Sequence, residues 1–164
     1  MKRTVIVYLV RHADALAQEP DHSRPLSPKG EESARRVAEW LARCSLDVPQ
    51  RVYHSGLLRA EQTARILAEV CAWPAPTATR QLGPTDDPEY WVERLARARE
   101  PLALVGHMPM LGALAASLLT GDPDGAVLQL KKMSVAALER EDEEWSLRWL
   151  IRPALIPSPA SVHT

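Results

Sequence analysis

Three short apolar runs in this chain each stop on a histidine, and a segment of helical periodicity comes after each. Thr4 to Val10 ends at Arg11-His12, Arg51-Val52-Tyr53 at His54, and Leu102 to Gly106 at His107. Runs of this length, rich in β-branched residues, read as strands covered on both faces, the pattern of a parallel sheet flanked by helices. Ser27-Pro28 carries the signature of an N-cap followed by proline at the first helical position. Ala34, Val37, Ala38, Leu41 and Ala42 then repeat at helical spacing, which predicts a helix over residues 28–43. Ser55 is the next cap candidate, with Ala60, Ala64, Leu67, Val70 and Cys71 on the inner face of a helix that Trp73-Pro74 ends. A short strand is expected over Ala78 to Leu82. Asp87-Pro88 repeats the cap-then-proline pattern and opens a helix to about Arg99, and Met110 to Thr120 forms an apolar helix closed by Gly121.

The last third changes character. Ser134 to Glu139 and Trp145 to Ile151 flank an acidic turn, and Trp145, Leu147, Trp149 and Ile151 alternate with polar residues apart from Leu150. This is the pattern of an antiparallel hairpin. From Pro153 periodicity is lost. The expected architecture is one α/β domain over residues 1–152, three-layered, with a mostly parallel central sheet, helices on both faces and a C-terminal antiparallel hairpin. Residues 153–164 are expected to form a flexible tail. A chain of 164 residues is the length of one such domain.

Composition excludes several classes. The formal net charge of -1 lacks the basic excess of a nucleic-acid binder, and no run approaches the ~18 apolar residues of a membrane helix. Neither nucleic acid nor membrane is therefore an expected partner. Cys44 and Cys71 are too few and too unpatterned for a disulfide scaffold or zinc site, and each lies on an apolar helical face as a small core residue. Lys2-Arg3, the first apolar run and Ala15-Leu16-Ala17 faintly imitate a secretion signal, but Arg11-His12 breaks the run at once. A cytoplasmic location is expected. Arginine (16) outnumbers lysine (4), and the faces bearing Arg35-Arg36, Arg94, Arg97 and Arg99 are interleaved with glutamate and read as solvated. Trp40, Trp91, Trp145 and Trp149 read as packing residues, and His22 and His163 as solvated.

Open α/β sheets bind ligands outside the carboxyl ends of their strands. The residues there are Arg11 and His12, His54 and Ser55 with Arg59 one helical turn on, and His107, near which the helix from Pro109 begins. Two histidines and two arginines thus converge on one rim, where arginine forks and helix N-termini favour a phosphate. Neutral imidazole is a competent nucleophile toward phosphorus when one ring nitrogen is held as a donor and the other is free. Neighbouring arginines favour the neutral ring and neutralise the oxygens of a loose transition state. His12 would attack and become phosphorylated, His107 would donate to the equatorial oxygens, and water would release the phosphate. No metal or cofactor is required by this scheme.

Leu9-Val10-Arg11-His12-Ala13-Asp14-Ala15 resembles the Arg-His signature of the histidine phosphatase superfamily, the phosphoglycerate-mutase-like clan. Ser55 to Ala64, with Arg59 and then Ala-Glu-Gln-Thr-Ala, is similar to its second motif, and Val105-Gly106-His107 to its second histidine. Arg24-Pro25-Leu26-Ser27-Pro28-Lys29-Gly30 resembles the segment opening the first helix of the small SixA-type phosphohistidine phosphatases. The resemblance implies a phosphoglycerate-mutase-like fold whose first, second and fourth strands assemble the site. It implies His12 as nucleophile, Arg11, Arg59 and His107 as phosphate pocket, and Arg24 as a further substrate contact. Ala13 stands where many relatives have glycine.

Larger relatives carry an acid in a long cap after the third strand, whereas here Leu82 to Pro101 has room for only one helix and its approach. A short rim suits phosphate borne on a protein side chain, and the weak P–N bond of phosphohistidine lessens the need for an acid. Asp14, Asp86, Asp87 and Glu89 are the candidate proton donors, with Asp87 also a helix cap and Glu89 a complement to the helix dipole. The expected activity is a metal-independent phosphatase acting on phosphohistidine in a protein. The alternatives are a phosphomonoesterase taking a small phosphorylated metabolite, a metal-dependent hydrolase using His12, Asp14, His22, His54 and His107, and a non-catalytic phosphate-binding adaptor.

Overall fold

The computed structural model describes residues 2–158 and contains one six-stranded sheet. Its elements in chain order are β1 (Thr4–Arg11), α1 (Pro28–Arg43), β2 (Arg51–His54), α2 (Leu58–Cys71), β3 (Thr77–Ala78), α3 (Glu89–Ala96), β4 (Leu102–Gly106), α4 (Met110–Thr120), β5 (Val135–Glu141) and β6 (Glu144–Ile151). The strand order is β3-β2-β4-β1-β5-β6. The first four are mutually parallel, and β5 and β6 complete one edge as an antiparallel hairpin. This is the expected α/β architecture with helices on both faces.

The period-2 alternation of β1 divides its side chains between two cores. Tyr8 and Val10 pack with Val37, Leu41, Ala64 and Leu67 of α1 and α2, whereas Val7 and Leu9 pack with Trp91, Leu95, Leu111 and Leu114 of α3 and α4. Both sides of β1 are thus sealed from water, which accounts for its uninterrupted apolar sequence. The cap of α1 forms as its sequence predicts: Ser27 Oγ accepts from the Gly30 amide at 2.9 Å, with Pro28 at the first position.

Several local expectations are corrected. Ala42 and Cys44 are exposed, because α1 ends at Arg43 and its buried stripe stops at Leu41. Trp40 is 42% exposed on the outer side of the same helix. Arg94 is half-buried: it lies over the rings of Tyr53 and Trp91 and donates to the Tyr53 hydroxyl at 2.8 Å. β3 is only Thr77–Ala78, displaced from the expected 78–82, and α3 ends at Ala96. In the hairpin, Ala137 faces Trp149 but Leu138 faces Leu147, so Arg148 is an extra residue. That bulge reverses the inside–outside phase of β6. Trp149 and Ile151 therefore reach the α1–α2 core, while Trp145 and Leu150 reach the other one.

Pro153–Leu155 forms a 3-10 turn instead of starting a loose tail, and Ile156 beyond it is 7% exposed in the α1–α2 core. The rest of the expected tail, residues 159–164 with His163, lies outside the described residues. No helix among the described residues is long and apolar enough to cross a membrane.

Candidate active site

Strand register brings the histidines together. β1 and β4 pair with Arg11 opposite Gly106, so His12 and His107 leave the sheet side by side, and the His12 amide bonds the Gly106 carbonyl at 3.0 Å. Their ring centroids lie 4.9 Å apart. On the other side of β4, His54 pairs with Val105, which delivers Ser55 beside His107. The sheet edge thus assembles residues that are far apart in sequence.

The His12 Nδ1 lies 2.7 Å from the Ala13 carbonyl oxygen. A carbonyl only accepts, so Nδ1 carries the proton and Nε2 keeps its lone pair. Burial pushes the His12 imidazole down to about 4, and the charges of Arg59, Arg11 and Lys132 act in the same direction against the bond to Ala13. His107 is pushed down to about 3 by burial, then by His12 and Arg59, with Asp21 opposing. Both rings are therefore neutral at pH 7, as a nitrogen nucleophile requires.

Ser55 Oγ lies 2.6 Å from His107 Nε2 and also accepts from the Leu57 amide at 3.3 Å. In the tautomer in which the hydroxyl donates to Nε2, His107 Nδ1 is the N–H donor of the ring. That Nδ1 is buried with no partner among the described residues. A buried donor of this kind costs free energy until an acceptor arrives. Ser55, expected to cap α2, instead bonds the second histidine, while the N-cap of α2 is Leu57 and makes no side-chain cap bond.

Arg59 is 5% exposed, held by its place on the buried face of α2. Its Nη1 donates to the Asp21 carbonyl at 3.1 Å, and both terminal nitrogens lie 3.3 Å from Asp21 Oδ2. Arg11 donates from Nη1 to the Leu130 carbonyl at 2.9 Å. The Nε atoms of both arginines are buried without a partner among the described residues. Arg24 uses Nε on the Leu16 carbonyl at 2.9 Å and lies 3.4 Å from Asp21 Oδ1. One carboxylate, Asp21, therefore bridges Arg59 and Arg24.

Three of the four expected proton donors hold structural bonds. Asp14 accepts from Ser27 Oγ and from Lys132 Nζ, each at 2.7 Å, and these bonds hold its carboxyl below the usual range. Asp86 accepts from the Gly83 amide at 2.7 Å within its own loop, and Asp87 accepts from the Glu89 amide at 2.9 Å where α3 begins. Glu89 is exposed on the first turn of α3. The first amides of α4 are also occupied, Met110 by the Pro84 carbonyl and Leu111 by that of His107. No group of three His, Cys, Asp or Glu side chains among the described residues is placed to hold a metal ion.

Sequence reasoning missed the buttresses. Thr63 Oγ1 accepts from the Ala13 amide at 3.1 Å and donates to the Arg59 carbonyl at 2.8 Å, tying the His12 loop to α2. Gln62 Oε1 accepts from the Leu26 amide at 2.8 Å, and His54 Nδ1 from the Gly56 amide at 3.0 Å. Gln62 and Thr63 stand in the second motif, and that was their only sequence signal.

The profile of the histidine phosphatase superfamily (branch 1) matches residues 7–81. An uncharacterized protein of Picosynechococcus sp. is 37% identical over 139 residues, covering 80% of this chain and 83% of the relative. Phosphohistidine phosphatase SixA of Escherichia coli is 32% identical over 122 residues, covering 71% and 75%. A solved structure of the protein histidine phosphatase SixA with tungstate superimposes with a TM-score of 0.82 at 25% identity, over 92% of this chain and 98% of that one.

Proposed function

The chain belongs to the histidine phosphatase superfamily, and from that premise we propose that it hydrolyses phosphohistidine in a protein, through a phosphohistidine formed on its own His12. The observation that carries this reading is the pair of adjacent buried imidazoles, with His12 Nδ1 anchored on a carbonyl and Nε2 left free.

In the first step Nε2 of His12 forms a bond to phosphorus while the P–N bond to the substrate imidazole breaks. The cation forming on His12 is stabilised by its Nδ1–H bond to Ala13. Arg11, Arg59 and the unpartnered Nδ1–H of His107 face the phosphoryl oxygens and disperse their charge. A substrate imidazole protonated on its other nitrogen departs as the neutral base and takes no proton from the enzyme. In the second step water attacks phosphorus, the P–Nε2 bond breaks, and inorganic phosphate leaves. Phosphohistidine suits a site where Asp14, Asp86 and Asp87 are bonded elsewhere. The same reading places Arg24 as a substrate contact at the rim, released from Asp21 when phosphate takes Arg59.

The test is turnover of a phosphohistidine protein against a panel of phosphate monoesters in EDTA, for wild type and His12→Ala. Metal-independent turnover of the phosphoprotein should fall by at least about a thousandfold in the variant. Residual activity within about tenfold of wild type would overturn the mechanism. Preference for small monoesters, with the His12 dependence intact, would favour a metabolite phosphatase instead.

A further inference from the structure

Six cationic side chains surround one cavity beside the catalytic pocket, and the phosphoryl chemistry uses only one of them. Arg11 lines it together with Lys29 and Arg36 of α1, Lys131 and Lys132 ahead of β5, and Arg152 after β6, around about 490 Å³. In a chain of net charge -1 this is a local concentration. The acidic residue in the wall, Asp14, is already bonded to Lys132 and Ser27. The Nε atoms of Arg11 and Arg36 are buried with no partner among the described residues, while Arg36 Nη1 lies 3.5 Å from Glu32 Oε1 one turn back on α1. Pro153 and Ala154 form part of the wall, so the 3-10 turn after β6 helps to build the cavity.

The geometry points to this cavity as the docking groove for an acidic segment flanking the phosphohistidine of the protein substrate, with Lys29, Arg36, Lys131 and Arg152 as its contacts. It rests on the phosphoprotein reading given above. Lys29, Lys131 and Arg152 are exposed and stand on three separate parts of the chain. A second phosphate on a small molecule would be gripped by donors converging on a point. Separated, solvated cations match several carboxylates on a protein surface, and they speed encounter as well as holding the complex. Arg11 joins the groove to the catalytic pocket, so a segment lying here leads directly to the phosphoryl group.

The test combines Lys29→Gln, Lys131→Gln and Arg152→Gln. The triple variant should lose about tenfold in kcat/KM for a phosphohistidine protein at low salt, through KM, and its salt dependence should flatten. Turnover of phosphoramidate, too small to span the groove, should stay within about twofold of wild type. Equal losses on both substrates, or no loss on either, would overturn the proposal. So would loss of a preference for a bisphosphate over a monophosphate with the protein substrate unaffected. Binding of an oligoglutamate peptide, followed by fluorescence anisotropy, gives a readout independent of activity. Were wild type to leave phosphohistidine proteins intact, the functional reading would fail, and the peptide would still decide the groove. Binding weakened about tenfold by the triple substitution supports it, and equal binding refutes it.

Discussion

Asp21 holds Arg59 from two sides: its carbonyl takes Nη1 at 3.1 Å, and its Oδ2 lies 3.3 Å from both Nη1 and Nη2. An internal carboxylate therefore occupies the fork assigned to phosphate, and Arg59 in return keeps the Asp21 carboxyl below the usual range. Asp21→Asn removes the competing charge while leaving the backbone contact. Affinity for inorganic phosphate or tungstate should rise a few-fold, read as the inhibition constant. Weaker binding of both ions would mean that Asp21 positions Arg59 rather than competing for it.

Ser55→Ala removes the hydroxyl that supplies the hydrogen bond to His107 Nε2. The freed ring can move its proton from Nδ1 to Nε2, and the donor toward the phosphoryl oxygens is then lost for part of the time. We expect kcat to fall by about ten- to a hundredfold, in the range of losing one positioned donor. Nitrogen NMR of His107 should show a mixture of tautomers in the variant and one tautomer in wild type. An unchanged spectrum would remove Ser55 from this role.

The depressed histidines predict an acid-sensitive fold. His12 titrates near 4 when folded and near 6.5 when unfolded, so within that window the unfolded chain binds more protons. Its contribution is complete above 6.5 and fades as pH falls toward 4, a loss of about 3 kcal/mol for this residue. His107 adds to it with the same sign, and Asp14, whose carboxyl is lowered, adds its own loss only in stronger acid. The urea midpoint should therefore drop clearly between pH 7 and pH 4.5. A level midpoint, or His12 ring signals titrating above 6, would contradict the burial argument.

Gly30 packs against the chain just after His12. A Cβ placed there would lie 2.0 Å from the Asp14 carbonyl oxygen, a backbone atom that cannot step aside. Gly30→Ala should cost more than about 2 kcal/mol despite alanine's better helix propensity. Thermal melting measures it, and a variant as stable as wild type would show that the α1 N-terminus is free to shift.

The sequence was most legible where neighbours along the chain decide the outcome. The Ser27-Pro28 cap, the stripe from Ala34 to Leu41, the Gly121 stop and the apolar strands β1 and β4 follow from local sterics, capping and periodicity. The placement of His12 and His107 side by side at one sheet edge was legible too, because they follow strand ends and stand in motifs. Local pattern failed where a partner elsewhere in the fold decides. It made Ser55 a cap and Pro153 the start of a loose tail, and it could not tell that Asp14 and Asp86 are bonded elsewhere.

By itself, then, the sequence determined the elements and the strand ends that carry the candidate site groups, since both depend on interactions within a few residues. The tertiary structure decided what those groups touch. Asp21 meets Arg59 across 38 positions, Ser55 meets His107 across 52, and an extra residue at Arg148 reverses the face of β6. The physical reason is that a side chain's proton, charge and exposure depend on the atoms within a few ångströms of it. The parallel crossovers bring those atoms from distant parts of the chain, where no local pattern records them.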